Sequence, residues 1–232
     1  MSIYIYNKKF IPMFIVSEYN IKKISNDSKE KDFKYIGTKI PINLENPYEN
    51  LMNYFNEYSL PLFYSLKLTP NVLTLTGGIF MILSIILILK YKFAYAALFY
   101  AIAYWFDCVD GQYARHYGLT SKGGEQLDHL IDLFRNILTC ISIYIIKIPT
   151  SKKLIFAGLY VISTLTNVYA SNCIQNYYFS HSKTDDKYHM KDQMQFCKDH
   201  PNQQLKYVRY FGSGTKILFI ILFLLHLSVT CK

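Results

Sequence analysis

The chain is poor in the features that staple or solvate a small soluble protein. Of its 232 residues only five are Cys. They are odd in number and widely spaced (Cys108, Cys140, Cys173, Cys197, Cys231), with no CxxC pair, so neither a disulfide framework nor a zinc site is expected. Cys is read instead as a small apolar filler. Ten Gly and seven Pro are too few for a collagen-like or linker-dominated chain. Repeats and low-complexity tracts are lacking. So is a signal-peptide pattern: Lys8 and Lys9 precede a short apolar run, 10–16, that Pro12 interrupts, and no small-residue cleavage site follows. Insertion would then rely on internal segments. Charged residues make up only 18%, and the acidic ones are scarcest, 16 Asp and Glu against 25 Lys and Arg, for a net charge of +9.

What is abundant is apolar side chain, 51% of the sequence. A mean hydropathy of only +0.10 is an average over segregated blocks. Residues 71–89 carry no charge over nearly the ~20 residues a helix needs to cross a hydrocarbon core. Further blocks run over 93–106, continuing into a polar stretch, over 130–148 with Arg135 inside it, over about 154–179 without charge, and over a short 217–229. Uncharged blocks of this length leave no polar face for water, which excludes a soluble bundle. The sequence therefore predicts an all-α polytopic membrane bundle of about five spans.

Around the spans, residues 1–46 form a polar tail, 47–69 a juxtamembrane helix, and 70–232 the membrane domain. In the juxtamembrane segment Leu51, Tyr54, Phe55, Tyr58 and Phe63 recur at roughly helical spacing. That pattern suits either an interfacial helix with aromatics at headgroup depth or an ordinary packed pre-helix. Residues 181–214 hold His181, Asp185, Asp186, His189, Asp192, Cys197, Asp199 and His200, but their spacing matches no known ligand set, and the mixed charge reads as a solvated loop. With the N-terminus in the cytoplasm most of the Lys and Arg fall on the cytoplasmic side, the arrangement that basic flanks favour. The positive charge is thus assigned to a membrane face, and no nucleic-acid partner is expected.

Against this background four carboxylates stand out between the second and third blocks: Asp107, Asp110, Asp128 and Asp132. All lie at or inside the membrane boundary, where an unpaired carboxylate is costly. The first two are i and i+3, the last two i and i+4, so each pair shares a helix face, and a short antiparallel turn can bring the faces together. Four such groups repel unless a divalent cation neutralises them. Oxygen donors without ligating Cys or paired His favour Mg²⁺ or Mn²⁺ over zinc. Ion pairs with Arg115 and Arg135 would account for two of the charges and leave two over. Gly111, Ala114 and Gly124 keep the helix surface slim beside each acidic pair, room for a ligand or for close helix packing.

The pattern D-x2-D-G-x2-A-R-x8-G-x3-D-x3-D formed by Asp107, Asp110, Gly111, Ala114, Arg115, Gly124, Asp128 and Asp132 resembles the defining motif of the CDP-alcohol phosphatidyltransferase family at every fixed position. Upstream, Pro70, Asn71, Thr74 and Gly77 are similar to that family's first-span P-N-x-x-T-x-x-G, and the likeness covers roughly residues 47–175. The resemblance implies a membrane-embedded transferase that moves the phosphoalcohol of a CDP-alcohol onto an acceptor hydroxyl and releases CMP. It implies that Asp107, Asp110 and Asp128 hold two divalent cations, with Asp132 as general base and a further ligand. Asn71, Thr74, Gly111, Ala114, Arg115 and Gly124 would then line the CDP site. The family core has six spans where this chain offers five, and family members tend to form homodimers. Arg135, one turn past Asp132, is a candidate for a substrate phosphate, although pairing with a carboxylate is the preferred reading. His129 is read as a packing or supporting group rather than a ligand.

Within the family, FKYIGTKIP, the pre-helix, TPNVLTLTGG and GEQLDHLID look more like the aminoalcohol branch, which passes CDP-ethanolamine or CDP-choline onto diacylglycerol. The CDP-diacylglycerol-dependent branch, making phosphatidylinositol or phosphatidylglycerophosphate, is the alternative. An intramembrane prenyltransferase is more distant, because its two acidic clusters lie far apart in a longer bundle, whereas here a single turn separates them. The site is expected on the cytoplasmic face, in an endomembrane such as the ER if the source is eukaryotic.

Overall fold

The computed structural model describes residues 3–6, 9–12, 34–181, 197 and 201–231. In the tail an antiparallel ribbon pairs β1 (Ile3–Tyr6) with β2 (Lys9–Pro12). Everything else that is regular is helical: α1 (Pro47–Ser65), α2 (Pro70–Leu89), α3 (Phe93–Tyr117), α4 (Lys122–Ile145), α5 (Thr150–His181), α6 (Pro201–Val208) and α7 (Ser213–Thr230), with one 3₁₀ turn at Arg209–Phe211. The helical membrane bundle expected from the sequence is the fold observed.

The helix limits follow from local chemistry. α1 starts on Asn46, whose side chain accepts the Tyr48 N–H, and Pro47 fills the first helical position, where a missing N–H costs nothing. α2 likewise opens on Pro70. α3 stops at Gly118, which adopts a left-handed φ of 67° as Leu119 donates to the Ala114 carbonyl at 2.8 Å. Three residues on, Ser121 caps α4 by accepting the Gly124 N–H. The two motif helices are therefore joined by a tight turn, as the close spacing of the two aspartate pairs calls for.

By length and composition three stretches can each cross a bilayer: Pro70–Leu89, Thr150–Tyr178 and Gln203–Thr230. Among the described residues these three of the five blocks read from the sequence are apolar enough by composition alone. α3 and α4, with 25 and 24 residues, are long enough but carry the motif charges, and they complete the bundle by packing rather than by apolarity. The last apolar block, read as 217–229, sits in a helix that begins at Ser213, because polar residues in its first turn are capped from α1. Glu49 Oε1 accepts the Gly214 N–H at 2.8 Å and the Ser213 hydroxyl, and Asn46 Nδ2 donates to the Thr215 hydroxyl at 2.8 Å.

Two glycines let α2 lie between the motif helices. A Cβ on Gly77 would press on Phe106 and the Ala103 carbonyl of α3, at 3.1 and 3.2 Å, and one on Gly78 would touch Ile131 of α4 at 3.4 Å. The apolar core gathers Ile88, Tyr100, Tyr104, Ile143, Ile220 and Leu224, and Phe156 of α5 stacks on Phe219 of α7. Outward, α4 and α5 present Leu133, Ile141, Leu154, Leu165 and similar residues, as a lipid-facing surface does.

Three expectations change. In α1, Leu51, Tyr54, Phe55 and Tyr58 are exposed, as at a headgroup boundary, but Phe63 is buried with Leu60, and the inner face is partly polar: Asn56 donates to Gln112 of α3 at 2.9 Å. Residues 34–46, which the sequence places in the polar tail, touch the motif helix α3 at Ile36 and Gly37 and pack Ile40 and Leu44 against Cys173, Tyr177 and Leu205. Finally, Cys173 of α5 is disulfide-bonded to Cys197, where no disulfide was expected. Odd number and wide spacing could not reveal a pair brought together only by the return of the chain after α5. Of the 181–214 segment, residues 182–196 and 198–200 lie outside the described residues, and with them the remaining candidate ligands of that loop except His181, whose side chain is likewise not described.

Candidate active site

α3 brings Asp107 and Asp110, α4 brings Asp128 and Asp132, and α2 closes the third side. Carboxylate oxygens of Asp107, Asp128 and Asp132 lie within 4.8 Å of one another. The i,i+3 and i,i+4 spacings do put each pair on one face, but only three of the four groups converge. Asp110 stands outside this trio, almost fully buried beside Thr74, with its Oδ2 lacking any partner among the described residues. A buried carboxylate oxygen without a donor is costly, and no Lys or Arg pairs with Asp110 among the described residues.

One cation is built in. Arg135, with a 7% exposed side chain, sends Nη2 to Asp107 Oδ1 at 3.1 Å and to Asp132 Oδ1, and its guanidinium lies 5.9 Å from the Tyr104 ring centre. Of its two readings, substrate phosphate or carboxylate pairing, the geometry realises the pairing. Its single charge faces three carboxylates. Beneath it a cavity of about 10 Å³, room for one water, is lined by Thr74, Gly77, Asp107, Ile131 and Arg135 among others. The donor set, three converging carboxylates with an orphaned fourth nearby and, among the described residues, one cation paired with them, fits hard divalent cations.

The expected CDP-lining residues surround this cluster unevenly. Asn71 Oδ1 would be only 3.0 Å from a Cβ on Gly124, so these two face each other across the α2–α4 crossing. Thr74 is buried and donates to the Pro70 carbonyl. Gly111 is covered by the guanidinium of Arg115, which would lie 3.1 Å from an added Cβ; the missing side chain makes room for that arginine. Ala114 is half-buried on α3 and contributes its carbonyl to the helix stop. His129 is exposed, with Nε2 3.9 Å from Glu125 Oε1.

Residues that the motif does not include complete the surroundings. Arg115 Nε donates to the Gly37 carbonyl at 2.6 Å, Gln112 Nε2 to the Ile36 carbonyl at 2.6 Å, and the Ile36 N–H to Glu57 Oε1 at 3.0 Å. A strap running over α3 could not be read from the sequence, since the bonds that hold it there are mostly to backbone. A second buried cation, Lys216 of α7, donates to Asn136 Oδ1 at 2.8 Å and lies over the Tyr160 ring, one helical turn below Asp132.

A family model described as CDP-alcohol phosphatidyltransferase matches residues 67–196, more than half of the chain and the whole of the acidic cluster, with α1 and the strap outside it. Neither a search of curated proteins nor one of solved structures gave a match.

Proposed function

Because the chain belongs to the CDP-alcohol phosphatidyltransferase family, a group of transferases acting on substituted phosphates, we propose that it is an aminoalcohol phosphotransferase. It would pass the phosphoethanolamine or phosphocholine of a CDP-aminoalcohol to the hydroxyl of diacylglycerol and release CMP. The convergence of Asp107, Asp128 and Asp132, a set fit to hold divalent cations, supports the transfer chemistry. The state of Arg135 supports the acceptor: its guanidinium is committed to two aspartates, which suits an acceptor that brings a bare hydroxyl rather than a phosphate of its own.

In this mechanism the acceptor oxygen attacks the β-phosphorus, the bond to the bridging oxygen breaks, and CMP leaves with the electron pair. Two Mg²⁺ or Mn²⁺ ions, held by Asp107, Asp110 and Asp128, would supply charge neutralisation on the diphosphate. Asp132 takes the proton of the acceptor hydroxyl. It is the more open of the two partners of Arg135, 40% exposed against 20% for Asp107, and the arginine orients it from below through one oxygen. Asn71 and Gly124 keep the α2–α4 wall thin, and the packed apolar bundle below keeps water from the reacting phosphorus.

The test is a panel of CDP-ethanolamine, CDP-choline and CDP-diacylglycerol offered to the purified protein with Mg²⁺ or Mn²⁺, reading CMP and the lipid formed. CMP release from an aminoalcohol donor with diacylglycerol is expected. Release only from CDP-diacylglycerol would move the chain to the other branch, and release from none would overturn the assignment.

The basic flanks favour a cytoplasmic site face. The Cys173–Cys197 bridge lies at that same end of the bundle, beside Ile40 and Leu44 of the strap, whereas stable disulfides belong to oxidising compartments. On the cytoplasmic reading the pair is a dithiol in the cell. Cells lysed directly into alkylating reagent should then yield both cysteines alkylated; a bridged pair in that sample would place the site face in an oxidising compartment.

A further inference from the structure

The strap of residues 34–46 is held on the site by a conformation few residues can adopt. Thr38 N–H donates to the Tyr35 carbonyl at 3.2 Å, closing a turn whose third residue, Gly37, has φ +74°. A side chain there would also collide with the Gln112 carbonyl of α3, so the turn can approach the motif helix only through glycine. The approach has a consequence for charge. Gly37 gives its carbonyl to Arg115 Nε, fixing the guanidinium above Gly111, one turn along α3 from Asp110.

Two residues on, Lys39 is partly buried, where the charges of Arg115, Asp128, Glu125 and Glu45 act on it. Among the described residues its ammonium has no hydrogen bond and no ion pair. Burial and the Arg115 guanidinium together pull it below the ordinary lysine range. The Lys39 ammonium and the Arg115 guanidinium repel each other, and burial strips both of hydration. That arrangement becomes favourable when an anion with several oxygens lies between them.

We propose that Lys39 of the strap and Arg115, whose guanidinium the strap holds through Gly37, form a cationic arm, and that this arm binds the diphosphate of the CDP donor, with Gly37 as the residue that positions it. The inference rests on the functional reading above and adds to it a binding residue outside both the motif and the family match. The nucleotide site is then closed on its outer side by the segment ahead of α1. Lys39 acts on the donor's phosphates and not on the cations, because it shares their sign.

The full-length protein in detergent serves for the test, with CDP-ethanolamine, CDP-choline and CDP-diacylglycerol binding followed by equilibrium dialysis and Mn²⁺ uptake followed by electron paramagnetic resonance. In Lys39→Gln, affinity for the donor that the native protein binds should fall by about tenfold or more, the loss expected for a hydrogen bond to a charged group, while Mn²⁺ uptake stays at the native level. Lys39→Arg should restore most of the donor affinity. Gly37→Ala, which displaces the strap and frees Arg115, should weaken the same donor with unchanged helicity. Donor affinity within twofold of native in Lys39→Gln overturns the inference and leaves the functional reading standing. Equal loss of donor and Mn²⁺ binding also overturns it, because it marks Lys39 as a structural prop. Failure of the native protein to bind any of the three donors overturns the functional reading and this inference with it.

Discussion

Asp132→Asn should lower CMP release by ~10²–10⁴-fold, the range that removal of a general base produces, without unfolding the protein. The amide oxygen of Asn can still accept the bond from Arg135 Nη2 that Asp132 accepts now, so the local packing persists. What is lost is the capacity to take the acceptor's proton and one negative charge of the trio. The measurement is CMP release by purified variant and native protein at saturating Mg²⁺ or Mn²⁺, with thermal unfolding recorded on the same samples. Release within tenfold of native at equal stability would remove Asp132 from the chemistry.

Arg135→Gln should have its largest effect on stability, and one that depends on metal. Among the described residues the arginine is the single cation in contact with Asp107 and Asp132, and its side chain is almost wholly buried. Removing one partner of a buried ion pair leaves an uncompensated charge, at a cost of about 3–5 kcal/mol. With Asp128 adding to the repulsion, the variant should unfold at markedly lower temperature in chelator, and divalent cations should restore more stability to it than they add to the native protein. Native-like unfolding in chelator would refute the pairing role. Unchanged stability combined with a raised KM for the CDP donor would return Arg135 to the substrate-phosphate role.

Some of the site was legible because it depends on spacing along one chain. Asp107 with Asp110 and Asp128 with Asp132 declare helix faces at three- and four-residue intervals, and the structure joins them by a turn from the Gly118 stop to the Ser121 cap. The convergence of three carboxylates follows once that turn is tight. Which three converge does not follow. Asp110 leaves the trio and lies against Thr74 because α2 packs so closely through Gly77 and Gly78, and the depth of that crossing is set by side chains of α3 and α4. Arg135 was ambiguous for a similar reason: a basic residue one turn past a carboxylate has the same spacing whether it pairs with it or reaches past it.

The amino-acid sequence by itself determined that this is a helical membrane protein with an acidic site between its second and third apolar blocks, and its motif determined the family. Blocked hydropathy and helical periodicity are local properties, and a bilayer allows few folds to satisfy them. Only the tertiary structure decided what surrounds the site. The strap of residues 34–46 over α3, the Glu49 and Asn46 caps on α7, and the Cys173–Cys197 bridge each join residues far apart in the chain. Such contacts leave no period in the sequence, because backbone carbonyls and single side chains make them once each, wherever packing of the apolar core happens to bring them into reach.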